Sequence, residues 1–110
     1  MIEYLFREGE NNLKQNPAIF LIHGYGSNAD DLFSFSSFLP KTHSIISLQA
    51  PLRLASQSYA WYPLYPNGDG SFESNLEMAF KAMDLLIENI DYLTNKYKLK
   101  QIITTSPPFA

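Results

Sequence analysis

Residues 18 to 22, "AIFLI", form an unbroken apolar run that ends on His23-Gly24-Tyr25-Gly26 and gives way at once to the polar, acidic "SNADDL". Five consecutive apolar residues without alternation predict a strand covered on both faces, as in a parallel sheet under helices. Whatever this chain folds into must bury that strand and let it emerge through two glycines that flank one aromatic residue.

The rest of the chain supplies partners for such a strand. "IEYLF" (Ile2 to Phe6) is β-branched and aromatic, "SIISL" (Ser44 to Leu48) is a second buried strand, and "QIITT" (Gln101 to Thr105) begins a third. Between the first two strands, "REGENNLKQNP" is turn chemistry. After the glycines, Ser27 or Asn28 can cap a helix. Asp30 and Asp31 then fall in its first turn, Leu32, Phe35, Phe38 and Leu39 recur at helical spacing, and Pro40 stops it. "SNLE" (Ser74 to Glu77) reads as a capping box. It opens a long helix whose Leu76, Phe80, Met83, Ile87, Ile90, Leu93 and Tyr97 are predicted to pack in the core. Lys96, Lys98 and Lys100 crowd its C-terminal end, where the helix dipole favours cations. Residues 51 to 72, rich in proline, glycine and aromatics, are predicted to form a long irregular loop of the kind that is often functional. The order strand, strand, helix, strand, loop, helix, strand predicts an α/β fold with a mostly parallel sheet of about four strands, as one domain over residues 1–110.

Composition narrows the functional classes. With 45% hydrophobic and 17% charged residues among 110, the chain is neither disordered nor highly solvated. A net charge of −3 and the lack of a basic run argue against nucleic acid as a partner. Without cysteine there are no disulfides or thiolate metal sites. Asp30 and Asp31 lack the nearby His or Glu partners that a metal would need, and serve as a helix start. The first ten residues carry acids early and no signal-peptide pattern, and the longest apolar run is too short to cross a bilayer. A cytoplasmic protein without cofactor is the expectation.

Two devices place Gly-x-Gly between a strand and a helix. One is the dinucleotide fingerprint, whose spacing Gly24, Gly26 and Ala29 satisfy. Asp30 and Asp31 would repel a pyrophosphate at that helix start, and Gln49 stands where an acidic ribose ligand is expected. The other device is an oxyanion hole, in which a preorganised backbone N–H meets the charge that develops on a former carbonyl oxygen. Glycines on either side let the Tyr25 N–H turn toward a substrate.

"FLIHGYGSNADDLFSFSSFLP", followed by "IISLQAP" and "YAWYPL", resembles the first half of the phospholipase/carboxylesterase group of α/β-hydrolases, to which acyl-protein thioesterases belong. His23, Gly24, Tyr25 and Gly26 match that group's His-Gly-x-Gly. Ala50 and Pro51 match its next motif, and Trp61 and Tyr62 match its Trp-aromatic pair. The resemblance implies a serine hydrolase of carboxylic esters or thioesters, a small-molecule substrate and an oxyanion donor at Tyr25. It also implies that His23, Gly24, Gly26, Trp61 and Tyr62 border the substrate. From the residues alone, Trp61, Tyr62, Tyr59 and Tyr65 suit a cluster pinning the loop as well as an acyl pocket.

The resemblance also sets a departure. Where the group carries Gly-x-Ser-x-Gly after the strand matching "QIITT", this chain reads "SPPFA". Ser106 is a poor nucleophile, because Pro107 has no N–H to give the oxyanion and no glycine flanks the turn. His43, between a helix and a strand, reads as a surface residue, and His23 as a brace for its own turn rather than a general base. The expectation is therefore the N-terminal half of an esterase, inactive alone. In the resembling group the "AIFLI" strand lies between "SIISL" and "QIITT", which would leave "QIITT" as an open edge and favour self-association. A non-catalytic interaction module is the competing reading.

Overall fold

The computed structural model describes residues 1–10, 16–69 and 72–105, with residues 72–74 and 101–105 described by backbone alone. Ser106 and Pro107 lie outside the described residues, as does most of the turn after Glu10. The elements in order are β1 (Tyr4–Arg7), β2 (Pro17–Ile22), α1 (Ala29–Phe33) continuing into a 3-10 turn (Ser34–Phe38), and β3 (Ser44–Leu48). Four short strands follow, β4 (Leu52–Ala55), β5 (Ser58–Ala60), β6 (Leu64–Pro66) and β7 (Phe72–Ser74). The chain closes with α2 (Leu76–Tyr97) and β8 (Lys100–Thr105).

The main sheet has the order β1-β3-β2-β8. β2 pairs in parallel with β3 on one side and β8 on the other, while β1 joins the β3 edge antiparallel. The central place expected for "AIFLI" is thus the place it takes, and β8 is the outer strand of the described sheet. Burial on both faces follows from the side-chain alternation of a strand. Phe20 and Ile22 of β2, with Ile46 and Leu48 of β3, face α2 and pack on Leu86, Ile90 and Leu93. Ile19, Leu21 and Ile45 face the other way and pack on Leu32, Phe33 and Leu39. Each such side chain, removed from water, contributes about 1.5–3 kcal/mol before the entropy of ordering it is counted.

The α1 side is fastened by polar groups as well as by burial. Ser47, on the same face of β3 as Ile45, donates its hydroxyl to the Ala29 carbonyl (2.8 Å). Arg7 at the end of β1 spreads its guanidinium over the carbonyls of Ser36, Pro40 and His43 and so ties β1 to the 3-10 turn and the bend that follows it.

Four expectations are corrected by the structure. The helix after the glycines is shorter than its apolar spacing suggests, and Phe35 and Phe38 project into solvent from the 3-10 turn rather than joining the core. Residues 51–72 are not irregular but contain two hairpins, β4–β5 and β6–β7. The long helix starts one residue later than the capping box implies. Asn75, not Ser74, is its cap, and its Oδ1 accepts from the Glu77 and Met78 amides. Of the row predicted for the core, Ile90 and Leu93 are buried, whereas Leu76, Phe80, Met83 and Ile87 are exposed. The sheet is covered instead by Ala82, Leu86, Asn89, Ile90 and Leu93. Two apolar rows run along one helix, and spacing by threes and fours does not say which of them meets a given sheet.

Candidate active site

β2 and β3 both end beneath the loop that carries His23 to Ser27. The Ser27 N–H donates to the Gly24 carbonyl (3.2 Å), closing a four-residue turn with Gly26 at its third position and φ +83°. That is the type II pattern, which calls for glycine at this position. A Cβ on Gly26 would find open space, with the Ser58 hydroxyl nearest at 3.8 Å, so the requirement is conformational rather than steric.

The neighbours of this turn are held on every side. Gly26 donates its N–H to the Tyr59 carbonyl (2.8 Å), Tyr59 returns a bond to the Ser27 carbonyl (2.9 Å), and the Ser58 hydroxyl donates to the Gly26 carbonyl (3.1 Å). The turn is therefore joined to β5 by an isolated antiparallel bridge between Ser27 and Tyr59. Tyr25 is the exception: its side chain is exposed, and no hydrogen bond among the described residues engages its N–H.

Beneath the turn lies His23, fully buried. The Ala50 N–H donates to its Nε2 (3.0 Å), so Nε2 is an acceptor and the proton sits on Nδ1, which donates to the Gly24 carbonyl (2.9 Å). The ring is neutral and ties the end of β2 to the segment after β3. Burial holds its pKa below the ordinary value, against smaller opposing effects from the Gly24 carbonyl and the Asp31 carboxylate. With both nitrogens in use, His23 cannot act as a proton shuttle without breaking the loop. Trp61, also buried, donates its Nε1–H to the His23 carbonyl (2.8 Å), and its ring tilts against the imidazole at 5.5 Å between centroids. Tyr62 is half-buried and packs against the same core.

The start of α1 is closed to anions by two side chains, its own cap Asn28 and Gln49 from the segment after β3. Asn28 Oδ1 accepts from the Asp31 amide (2.8 Å) and Gln49 Oε1 accepts from the Ala29 amide (2.7 Å). The dinucleotide reading loses the amides it would need. Sequence reasoning sees in Gln49 only a missing acid; the structure uses it as a cap. A long amide at the end of a buried strand, level with the next helix start, is the signal that points to this role. The hairpin partners Ser58 and Tyr59 carry no comparable signal.

Other candidates fall elsewhere. His43 sits in the bend before β3 with its Nδ1 against the Thr42 hydroxyl (3.0 Å). A cleft of about 510 Å³ is lined by Ile2, Tyr4, Ala29, Asp30, Gln49 and Tyr59 among others, and borders the hairpin on the β1 side rather than the Tyr25 amide. Among the described residues no group of His, Cys, Asp or Glu is placed to hold a metal, and no helix is long and apolar enough to cross a membrane.

No protein-family model and no curated protein sequence matches the chain. Solved structures do. The chain superposes on YahD with malic acid at a TM-score of 0.72 and 21% identity, over 96% of this chain and 51% of that one. It superposes on the Bacillus cereus carboxylesterase at 0.72 and 20% identity, over 94% of this chain and 48% of that one. The chain spans about half the length of these structures. Likeness at this level of identity is likeness of fold, and the fold is that of the N-terminal half of an α/β-hydrolase.

Proposed function

We propose that the chain supplies the oxyanion-binding half of a serine carboxylesterase or thioesterase site, with the Tyr25 N–H as the donor. The observation that carries this reading is the contrast within one turn. Gly24, Gly26 and Ser27 are all tied into the fold, and among the described residues the Tyr25 N–H has no partner at a glycine-permitted bend. A rigid amide of this kind gains most when negative charge develops in front of it, because no reorganisation is needed at that moment. His23 and Trp61 then act as braces of the donor, and Tyr62 as a wall beside it. A structurally similar protein was solved with malic acid, and a carboxylate is the ligand class that fits a lone backbone donor.

The proposal makes the 110-residue chain inactive by itself. It contains no Gly-x-Ser-x-Gly, and the imidazole of His23 is committed on both nitrogens. The test is a malate titration followed by the backbone amide spectrum, together with hydrolysis of a short-chain nitrophenyl ester. Expected are a shift of the Tyr25 amide, fast exchange of its proton, and no turnover above buffer. A protected Tyr25 amide that ignores malate would overturn the donor assignment. Turnover by the purified chain would overturn its inactivity.

A further inference from the structure

β1 and α2 meet along an aromatic seam at the edge of the sheet opposite β8. Tyr4 and Phe6 alternate onto one face of β1 and, with Tyr97 of α2, pack against the core. The Phe6 and Tyr97 rings stack at 4.4 Å between centroids, with 15° between their planes. That contact fixes the Tyr97 ring, and its hydroxyl stands 2.8 Å from the Tyr4 hydroxyl. Lys96 completes the group, its Nζ 3.5 Å from the Tyr4 oxygen and 5.3 Å from the centre of the Tyr97 ring.

The lysine sets the direction of the bond between the two phenols. An ammonium only donates, so the Tyr4 oxygen accepts and is the better place for negative charge. Tyr97 then donates to Tyr4, and the Tyr4 proton is the one free to leave. The hydrogen bond from Tyr97 accordingly holds the Tyr4 phenol below its ordinary range, with burial opposing and Lys96 assisting, while the same bond holds Tyr97 above it. The exposed tyrosines lack this arrangement. Tyr25, Tyr65 and Tyr92 are 38%, 47% and 53% exposed, and no second phenol or lysine is bonded to their hydroxyls among the described residues.

We propose that Tyr4 is an acyl-acceptor site, a phenol readied by Tyr97 and Lys96 to take an acyl group from an activated donor such as an acyl-imidazole. In the step, the Tyr4 oxygen bonds the acyl carbon, the bond from that carbon to the leaving nitrogen breaks, and the phenolic proton ends on the leaving imidazole. The products are an aryl ester and neutral imidazole. The contacts that ready Tyr4 all lie between β1 and α2, so the assignment is independent of the hydrolase reading.

The test treats the whole chain with N-acetylimidazole at pH 7.5 and follows each tyrosine by tryptic mapping. Residues 1–7 form a peptide whose one tyrosine is Tyr4, and residues 82–96 one whose one tyrosine is Tyr92. Hydroxylamine cleaves phenyl acetates and spares acetylated amines, so an adduct lost in hydroxylamine lies on the phenol. A tenfold gain in phenolate loses about half its logarithm to weaker nucleophilicity, which leaves about threefold. Tyr4 should therefore acetylate at least about threefold faster than Tyr25, Tyr65 and Tyr92, despite its lesser exposure. Tyr97→Phe, which keeps the ring on Phe6, and Lys96→Met should each slow Tyr4 toward the rate of Tyr92, with the circular dichroism spectrum unchanged. Rates that rank by exposure would overturn the proposal. So would acetylation of Tyr97 ahead of Tyr4, or a Tyr4 rate that neither variant lowers.

Discussion

Replacing His23 with glutamine separates two things the imidazole does. Glutamine can present its Oε1 to the Ala50 N–H, which now donates to Nε2 at 3.0 Å, but it does not titrate. It gives up the Nδ1 bond to the Gly24 carbonyl and the ring contact with Trp61, a loss of about 1–3 kcal/mol at pH 8. The pH dependence carries the sharper information. Burial lowers the folded-state pKa of His23 below the ordinary value of 6.5 that the unfolded chain retains. Above 6.5 neither state holds the proton, and the stability provided by the neutral ring is fully present. As the pH falls below 6.5, the unfolded chain takes up a proton that the folded chain refuses. Stability is then lost down to the lowered folded value, by at most about 1.4 kcal/mol per pH unit for one proton. Urea midpoints of the parent and His23→Gln, measured from pH 8 to pH 5, should therefore converge on acidification. A gap between the two proteins that stays constant with pH would refute the neutral, doubly bonded imidazole. An imidazole resonance that titrates at 6.5 or above would do the same.

Gly26→Ala places a Cβ on a residue at φ +83° with nothing closer than 3.8 Å, so the expected loss is conformational, about 1–2 kcal/mol by thermal or urea unfolding. A loss near zero would mean that the turn relaxes. Trp61→Phe removes the donor to the buried His23 carbonyl and should destabilise by about 1–3 kcal/mol, with faster hydrogen exchange along residues 23–27. Exchange unchanged there would remove Trp61 from the bracing role. Asn75→Ala strips the cap that serves the Glu77 and Met78 amides and should lower stability by about 1 kcal/mol. A loss near zero would remove Asn75 from the capping role.

The layout of the sheet is legible in the sequence because β2 and β3 are buried on both faces, so that β2 is apolar without interruption and β3 carries only small serines beside its apolar residues. Their neighbours are legible because strand and helix alternate. The turn at residues 24–27 is legible too, since only a narrow set of residues fits a left-handed position. The hairpins of residues 52–74 are not. Their strands are only three or four residues long, β4 is exposed throughout and β6 ends on Pro66, so no alternation survives to mark them. For the same reason Tyr59, which pins the turn through backbone atoms alone, leaves no trace in its side-chain type. On α2 the period is plain and the facing is not, because Leu76 and Leu86 satisfy the same pattern and only the position of the sheet tells them apart.

The register of the central strand bears on the order in which the molecule assembles. β2 meets β3 from Ala18 opposite Ser44, a closure of 26 residues, but meets β8 from Pro17 opposite Lys100, a closure of 83 residues. Contacts so distant in sequence form slowly, since the entropy of closing the loop precedes any reward from the contact. During synthesis the ribosome must release the chain through β8 before β2 acquires its second neighbour. Until then its hydrogen-bonding groups on that side stand open, which makes the interval before β8 arrives the moment at which a chaperone has most to protect.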